Sequence, residues 1–449
     1  MRVTAAARRW MVEPALSIVT GRTMLAEWKV LEKTQQLPIA ALRGRQEESL
    51  QRLVASVYDI SPFYRRRFDD AGVKPRDILS VDDLARLPVL TKADVRRAGR
   101  ALVSASVGPG RLMESRTGGS TGVPLVLHFT EKVSERRNAA ARRSNRWTGW
   151  EVGEPVAAVW GNPHLPSSAR QRLRHHLLNP VIYLDTMQLR AETIRRFAQE
   201  WRRTRPTLLF GHAHSIYALA CEIREQGIDG VRPKGVLATS MMLLAPERAV
   251  IEEVFGVPVF DRYGCEEVGL IGAECERHDG MHVNVDHAVV EFLRDDGSRA
   301  EPGELGRVVV TDLLNEAMPL IRYDVGDMAA ERPGTCACGR GLPLMERVAG
   351  RTADFLRRRD GTRVAGVSLI ENSLTRFPGI AQLQIVQDDL DLIRLRVVPD
   401  ERFDEEARGL LVGYFRETFP GAVVRIELAA EIQREPNGKF RFAICHVPD

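Results

Sequence analysis

The sequence predicts an α/β protein: a large N-terminal domain of several α/β subdomains over residues 1–350, then a small α+β domain over 351–449. Three observations carry this. From about residue 150 to 310, short apolar runs ("PVAAVWG", "TLLFGH", "GVLATS", "VPVFDRYG") alternate with helical ones ("SIYALACEIREQG", "PERAVIEEVFG"), the pattern of parallel α/β layers. "HVNVDHAVVEFL" and "ELGRVVVTDLL" then read as longer, more antiparallel strands. Near 350 the texture turns charged and glycine-punctuated, and "AQLQIVQ", "DLIRLRVVP", a helix over 403–418 and "AVVRIELAA" give strand–strand–helix–strand.

Taken in order, the N-terminus "MRVTAAARRWMVEPALSIVTGR" has basic residues and an apolar patch broken by Glu13 and Pro14, which excludes a secretory signal. It is expected to be a helix lying on the protein's own core, with a membrane contact or a homodimer contact as the alternatives. Residues 20–60 carry helical periodicity through Met24, Leu25, Trp28, Leu31, Leu50, Leu53, Val54 and Val57. The stretch 61–97 reads as a loop and two short capped helices, opened by Ser80 with Asp83 and by Thr91 with Asp94.

Composition excludes several classes. The chain is 44% hydrophobic and 28% charged, the balance of a soluble globular protein. No apolar run is long enough for a transmembrane segment. Basic and acidic residues number 64 and 60, and the arginine-rich runs "RRRF" and "RQRLRHH" lack interleaved aromatics, so nucleic acid is not an expected partner. Six cysteines make no disulfide framework, which fits a cytoplasmic location.

Five segments carry chemistry. "SRTGGSTGVP" (115–124) lies between two strands, and its glycines let backbone N–H groups turn inward as an anion nest. Hydroxyls of Ser115, Thr117, Ser120 and Thr121 add donors around Gly118, Gly119 and Gly122; no Walker P-loop occurs in the chain. "DRYGCEEVG" (261–269) sets Tyr263 and Gly264 before the acids Glu266 and Glu267, and "PLIRYDVGD" (319–327) ends in Asp327 after a strand. "GRTADF" (350–355) carries Arg351 at the domain change, and "REPNGKFR" (434–441) places Lys439 in a turn, where Asn-Gly is also a hairpin signal.

In this order and spacing the motifs resemble the adenylate-forming (ANL) superfamily, nearest its phenylacetate–CoA ligase-like and CapK-like (coenzyme F390 synthetase-like) branch. The resemblance runs from about residue 45 to the end, beginning with "SPFYRRRFDDAG" and "LPVLTKADVR". It implies ATP-dependent activation of a small-molecule carboxylic acid as an acyl-adenylate, with release of pyrophosphate. Transfer to coenzyme A then gives an acyl-CoA, and the small C-terminal domain is mobile between the two steps. By the same resemblance the 115–124 loop wraps the β- and γ-phosphates, Tyr263 lies against adenine, and Glu267 helps hold Mg²⁺. Asp327 takes the ribose hydroxyls, Arg351 contacts the nucleotide, and Lys439 bridges the carboxylate and the α-phosphate. Three residues depart from the family pattern: Glu266 in place of Ser or Thr, Ala353 beside Asp354 at the hinge, and Leu125 in place of lysine. Two alternatives stay open. One passes the acyl group to an amine or hydroxyl in polysaccharide or secondary-metabolite synthesis, because Gly361 only loosely fits the glycine that opens a pantetheine tunnel. The other is a nucleotide-binding scaffold that no longer catalyses.

A second constellation is separate from the nucleotide. "ECERHDGMH" offers Cys275, His278 and His282, and "GTCACGRG" offers Cys336 and Cys338, a set suited to a structural Zn²⁺ that needs only one of the two histidines. For the acyl pocket, "FGHAHSIYALA" and "TSMMLLAPE" nominate His212, His214, Met241, Met242 and Leu243.

Overall fold

A computed structural model describes residues 4–104, 107–116, 125–160, 168, 180–185, 190–351, 355–360, 363–433 and 441–447. At its centre is a nine-stranded sheet. Strands Val156–Trp160, Val181–Asp185, Leu208–His212, Gly235–Thr239 and Val259–Cys265 run parallel, as their apolar runs predict. Beyond Val259–Cys265 the sheet continues antiparallel through Gly269–Glu274, Met281–Val283, Leu344–Met345 and Glu331–Arg332.

Both faces of the parallel part are covered, which explains strands apolar on both sides. On one face lie helices Ala191–Thr204, Ala213–Glu225 and Ala245–Phe255, with Ile194, Phe197, Ala198 and Trp201 in the core at helical spacing. On the other, helices Met24–Thr34 and Glu131–Trp147 pack Trp28, Leu31, Ala139 and Ala140 against Leu208, Leu237 and Phe260. A second, antiparallel sheet of Ala288–Leu293, Gly306–Asp312, Tyr323–Ala329 and Gly350–Arg351 shares a core with the long helix Ile39–Ile60. Asp327 therefore sits within a strand, not after one.

Two expectations in the first hundred residues are corrected. Part of the stretch taken as a loop is the helix Pro62–Asp70, capped by Ser61 Oγ on the Tyr64 N–H at 3.4 Å with Pro62 in the first turn. The segment Ala5–Thr20 is helical but turns its charges inward: Arg8 Nη1 donates to Gly153 O at 3.0 Å and Arg142 grips Glu13 at 2.9 Å. Trp10, Met11, Ile18 and Val19 point to solvent, so polar pairs rather than an apolar face attach this helix. The Thr91–Asp94 capping box forms as expected on Lys92–Ala98, whereas Ser80 with Asp83 opens only a 3₁₀ turn, Asp82–Arg86.

The C-terminal unit is a four-stranded sheet in the order Val423–Leu428, Leu392–Pro399, Ile380–Asp389, Ala443–Cys445, covered by helices Gly366–Arg376 and Glu405–Thr418. Leu356 belongs to its core, and so does Leu244 from the loop after strand Gly235–Thr239, with Met242 packed alongside. That contact lays the small unit against the carboxyl edge of the parallel strands, where α/β sheets bind ligands.

Candidate active site

The strand Val259–Cys265 turns back into Gly269–Glu274 through a tight hairpin with an irregular register at Tyr263 and Gly264. A Cβ on Gly264 would stand 2.5 Å from the Gly269 carbonyl oxygen, so a side chain here would force the hairpin apart. The turn exposes Glu266 and buries Glu267. Arg137, from the helix Glu131–Trp147, locks it: Nη2 donates to Glu267 O at 2.7 Å and to Asp312 Oδ2 at 2.7 Å, and Nη1 to Glu266 O at 3.3 Å.

The buried Glu267 carboxylate accepts the Tyr323 hydroxyl at 3.0 Å and faces Lys92 Nζ at 3.4 Å, both through Oε1. A cation already stands beside this oxygen, so the position accepts positive charge. Across the hairpin, Tyr263 Oη donates to Asp327 Oδ2 at 2.8 Å. Burial, and next the Asp327 charge, pushes the Tyr263 phenol well above its ordinary pKa, so it stays protonated and donating. Burial and the Glu267 charge likewise keep Cys265 a thiol. Asp327 is the register partner of Arg351 on the neighbouring strand. Ser115, at the end of strand Leu112–Arg116, donates its hydroxyl to the Glu266 carboxylate, so the glycine-rich stretch departs from beside the paired acids. Thr117, Gly118, Gly119, Ser120, Thr121, Gly122 and Lys439 lie outside the described residues, as does the side chain of Arg351.

The Cys/His constellation comes together in part. Ligand atoms of Cys275, His282, Cys336 and Cys338 all lie within 4.8 Å of one another. Cys275 Sγ is 3.6 Å from Cys336 Sγ, and Cys338 Sγ is 3.3 Å from His282 Nε2. A tetrahedron with ~2.3 Å zinc–sulfur bonds has S···S edges of about 3.8 Å, so the set is close to the size of a zinc site. His282 Nδ1 lies 3.2 Å from the Leu342 carbonyl, which turns Nε2 toward the thiols, and burial lowers the ring's pKa to about 4, keeping it neutral. Backbone N–H groups of Arg277 and Arg340 reach Cys275 Sγ and Cys338 Sγ at 3.5 and 3.4 Å. His278 stands apart, with Nδ1 on Glu274 Oε2 at 3.1 Å and its ring 4.6 Å from Phe260.

Among the acyl-pocket nominees, His212 ends its strand with the ring 4.1 Å from Trp160. His214 is tied to Glu247 at 2.6 Å between two helices, and Met241 and Met242 divide between two cores. Sequence reasoning missed Lys92, Arg137 and Tyr323. Lys92 and Tyr323 lie inside quoted motifs, but nothing local marks either as a partner of Glu267.

Comparison with known proteins adds four findings. Residues 356–446 match the family model of the CapK C-terminal domain. The phenylacetate–coenzyme A ligase of Thermus thermophilus is 29% identical over 386 residues, spanning 83% of this chain and 84% of that protein. Protein CapK of Staphylococcus aureus is 23% identical over 384 residues, 82% of each. The fold is that of 2-hydroxyisobutyryl-CoA ligase, solved in its postadenylation state with R3-HIB-AMP, at a TM-score of 0.74 and 21% identity, covering 91% of this chain and 90% of that one.

Proposed function

We propose, for a chain homologous to the phenylacetate–coenzyme A ligases and CapK and closed by a CapK C-terminal domain, that it is an AMP-forming acid–thiol ligase. The observation that carries this is the hairpin that sets buried Glu267 on one side and Tyr263 with Asp327 on the other, beside the start of the glycine-rich loop. A carboxylate oxygen of the acid attacks the α-phosphorus of ATP, pyrophosphate leaves, and the acyl-adenylate forms. The sulfur of coenzyme A then attacks the acyl carbon, and AMP leaves with the bonding electrons.

Both anions must meet at one phosphorus, so the site must neutralise them. Lys439 is assigned to the oxyanions there, and Thr117–Gly122 with Ser115 to the β- and γ-phosphates. Asp327 takes the ribose hydroxyls, exchanging its bond from Tyr263 for bonds from the sugar, with Tyr263 and Gly264 against the base and Arg351 at the strand partner position. Glu267 would hold Mg²⁺, which offsets phosphate charge when bound; Tyr323 orients its carboxylate, and Lys92 balances the charge without the ion. Cys275, His282, Cys336 and Cys338 would hold a structural Zn²⁺ that ties the turn before Leu344–Met345 to the strand Met281–Val283. No helix among the described residues is long and apolar enough to cross a membrane, and free thiols at a zinc cluster fit the cytoplasm.

The test is mass spectrometry of the full chain with ATP, Mg²⁺, coenzyme A and a panel of aryl, fatty and hydroxy acids. The expected result is AMP with one acyl-CoA, lost in Asp327→Asn. With hydroxylamine added, AMP release with the acyl group trapped as a hydroxamate, and no thioester formed with coenzyme A, would remove coenzyme A as the acceptor.

A further inference from the structure

Arg262 precedes Tyr263 in the strand Val259–Cys265, and side chains alternate along a strand, so it projects to the face opposite Tyr263. The side chain is half-buried against the helix Glu131–Trp147. Nη1 donates to Asn145 Oδ1 at 3.1 Å, and Cζ lies 4.8 Å from the Phe210 ring centroid. Phe210 stacks on Trp160 with centroids 5.4 Å apart, and Trp160 is 4.1 Å from His212. These residues come from parallel strands at their carboxyl ends, beside the loop that reaches the C-terminal unit.

Arg262 differs from the arginines that pair with largely buried acids. Arg137 pairs with Asp312, Arg143 with Asp286, Arg248 with Glu274 and Arg322 with Glu291, at 2.7 to 2.9 Å. No acid among the described residues pairs with Arg262, and Asn145 accepts its one side-chain hydrogen bond there. Burial alone pulls its pKa down to about 10, with no carboxylate to counter it. Its planar fork has further donors, and it suits bidentate recognition of a carboxylate.

We infer that Arg262 is the anchor for a second anionic group on the acid, and that the substrates are acids with an apolar body bearing two negative charges. This rests on the adenylation reading. One carboxylate meets the nucleotide beside Tyr263, the body lies along Trp160 and Phe210, and the distal anion docks on Arg262. A plain monoacid would leave the guanidinium unbalanced and bind more weakly.

The test uses matched pairs: hexanoate against adipate, and phenylacetate against 4-carboxyphenylacetate. Calorimetric affinity and ATP–pyrophosphate exchange are measured on the full chain, on R262M and on R262K. The diacid should lead its monoacid by about 10- to 100-fold in affinity and in exchange kcat/KM. R262M should bring that ratio near one, and R262K should keep part of it. A wild-type ratio near one, a ratio unchanged in R262M, or no measurable binding of any pair overturns the inference. Diacid preference in binding without exchange for any acid upholds Arg262 and removes adenylation. Exchange at a ratio near one does the reverse.

Discussion

Replacing Arg137 with methionine keeps the stem against Gly269 and removes the guanidinium that fastens the acid hairpin. The buried Asp312 carboxylate, 1% exposed, then loses its 2.7 Å partner and keeps on Oδ1 the Leu314 N–H at 2.9 Å. Breaking a buried ion pair from one side costs about 3–5 kcal/mol. The Arg137 side chain is 14% exposed, so water can reach the vacated place, which favours the low end. About 3 kcal/mol is expected, most of it from stranded Asp312 rather than from the carbonyl bonds to Glu266 and Glu267. Asp312→Asn in the Arg137→Met background should therefore restore about 2 kcal/mol, because a neutral amide needs no counter-charge. Guanidinium unfolding reads this as a lower midpoint at unchanged slope, partly reversed in the double variant. Activity should not return with stability. The Glu267 backbone stays unfastened, and a shift of about 1 Å in a positioned group costs roughly 100-fold in rate. A single variant within about 0.5 kcal/mol of wild type, or a double variant no more stable than the single, would refute this reasoning.

Three further outcomes follow from the same structure. Metal analysis of the purified chain should find zinc that is lost in Cys336→Ser and Cys338→Ser and kept in His278→Ala, with chelation lowering the melting temperature; zinc retained in both serine variants would contradict the cluster. Burial, and next the Glu274 charge, raises the Asp261 carboxyl from 3.8 to about 7, so its contribution to stability is full below pH 3.8 and lost as pH rises through 7. Asp261→Asn should thus match wild type near pH 4 and exceed it at pH 8 by an amount on the order of a few kcal/mol; equal denaturation midpoints at pH 8 would contradict this. Gly264→Ala, which places a Cβ 2.5 Å from the Gly269 carbonyl, should lower stability by about 1–3 kcal/mol and weaken ATP binding, read by calorimetry.

The parallel strands were legible because each is a short apolar run closed by turn residues, and burial on both faces leaves no other pattern. The C-terminal order was legible for a different reason: its strands alternate, as in Leu392–Pro399, where Ile393, Leu395 and Val397 face the core. The helix Pro62–Asp70 was not, since its polar body masks the Ser61–Pro62 start signal. Nor was the mounting of Ala5–Thr20, because its attachment rests on pairs with residues distant in the chain, Arg142 and Gly153. Sequence offered His278 and His282 without a way to choose; the backbone decides, with His278 at a φ of 52° turned onto Glu274 and His282 on a strand facing the thiols. Glu267, Tyr263 and Asp327 were nominated by motif, but the bond from Tyr263 to Asp327 and the cradle of Tyr323, Lys92 and Arg137 are tertiary facts.

Carboxylate-dependent ATP–pyrophosphate exchange tests the central claim most directly, run without coenzyme A on wild type and Lys439→Ala. The account predicts exchange with at least one acid, absent without acid and lost in the variant. ATP binding without exchange for any acid, or exchange undiminished in Lys439→Ala, would contradict it.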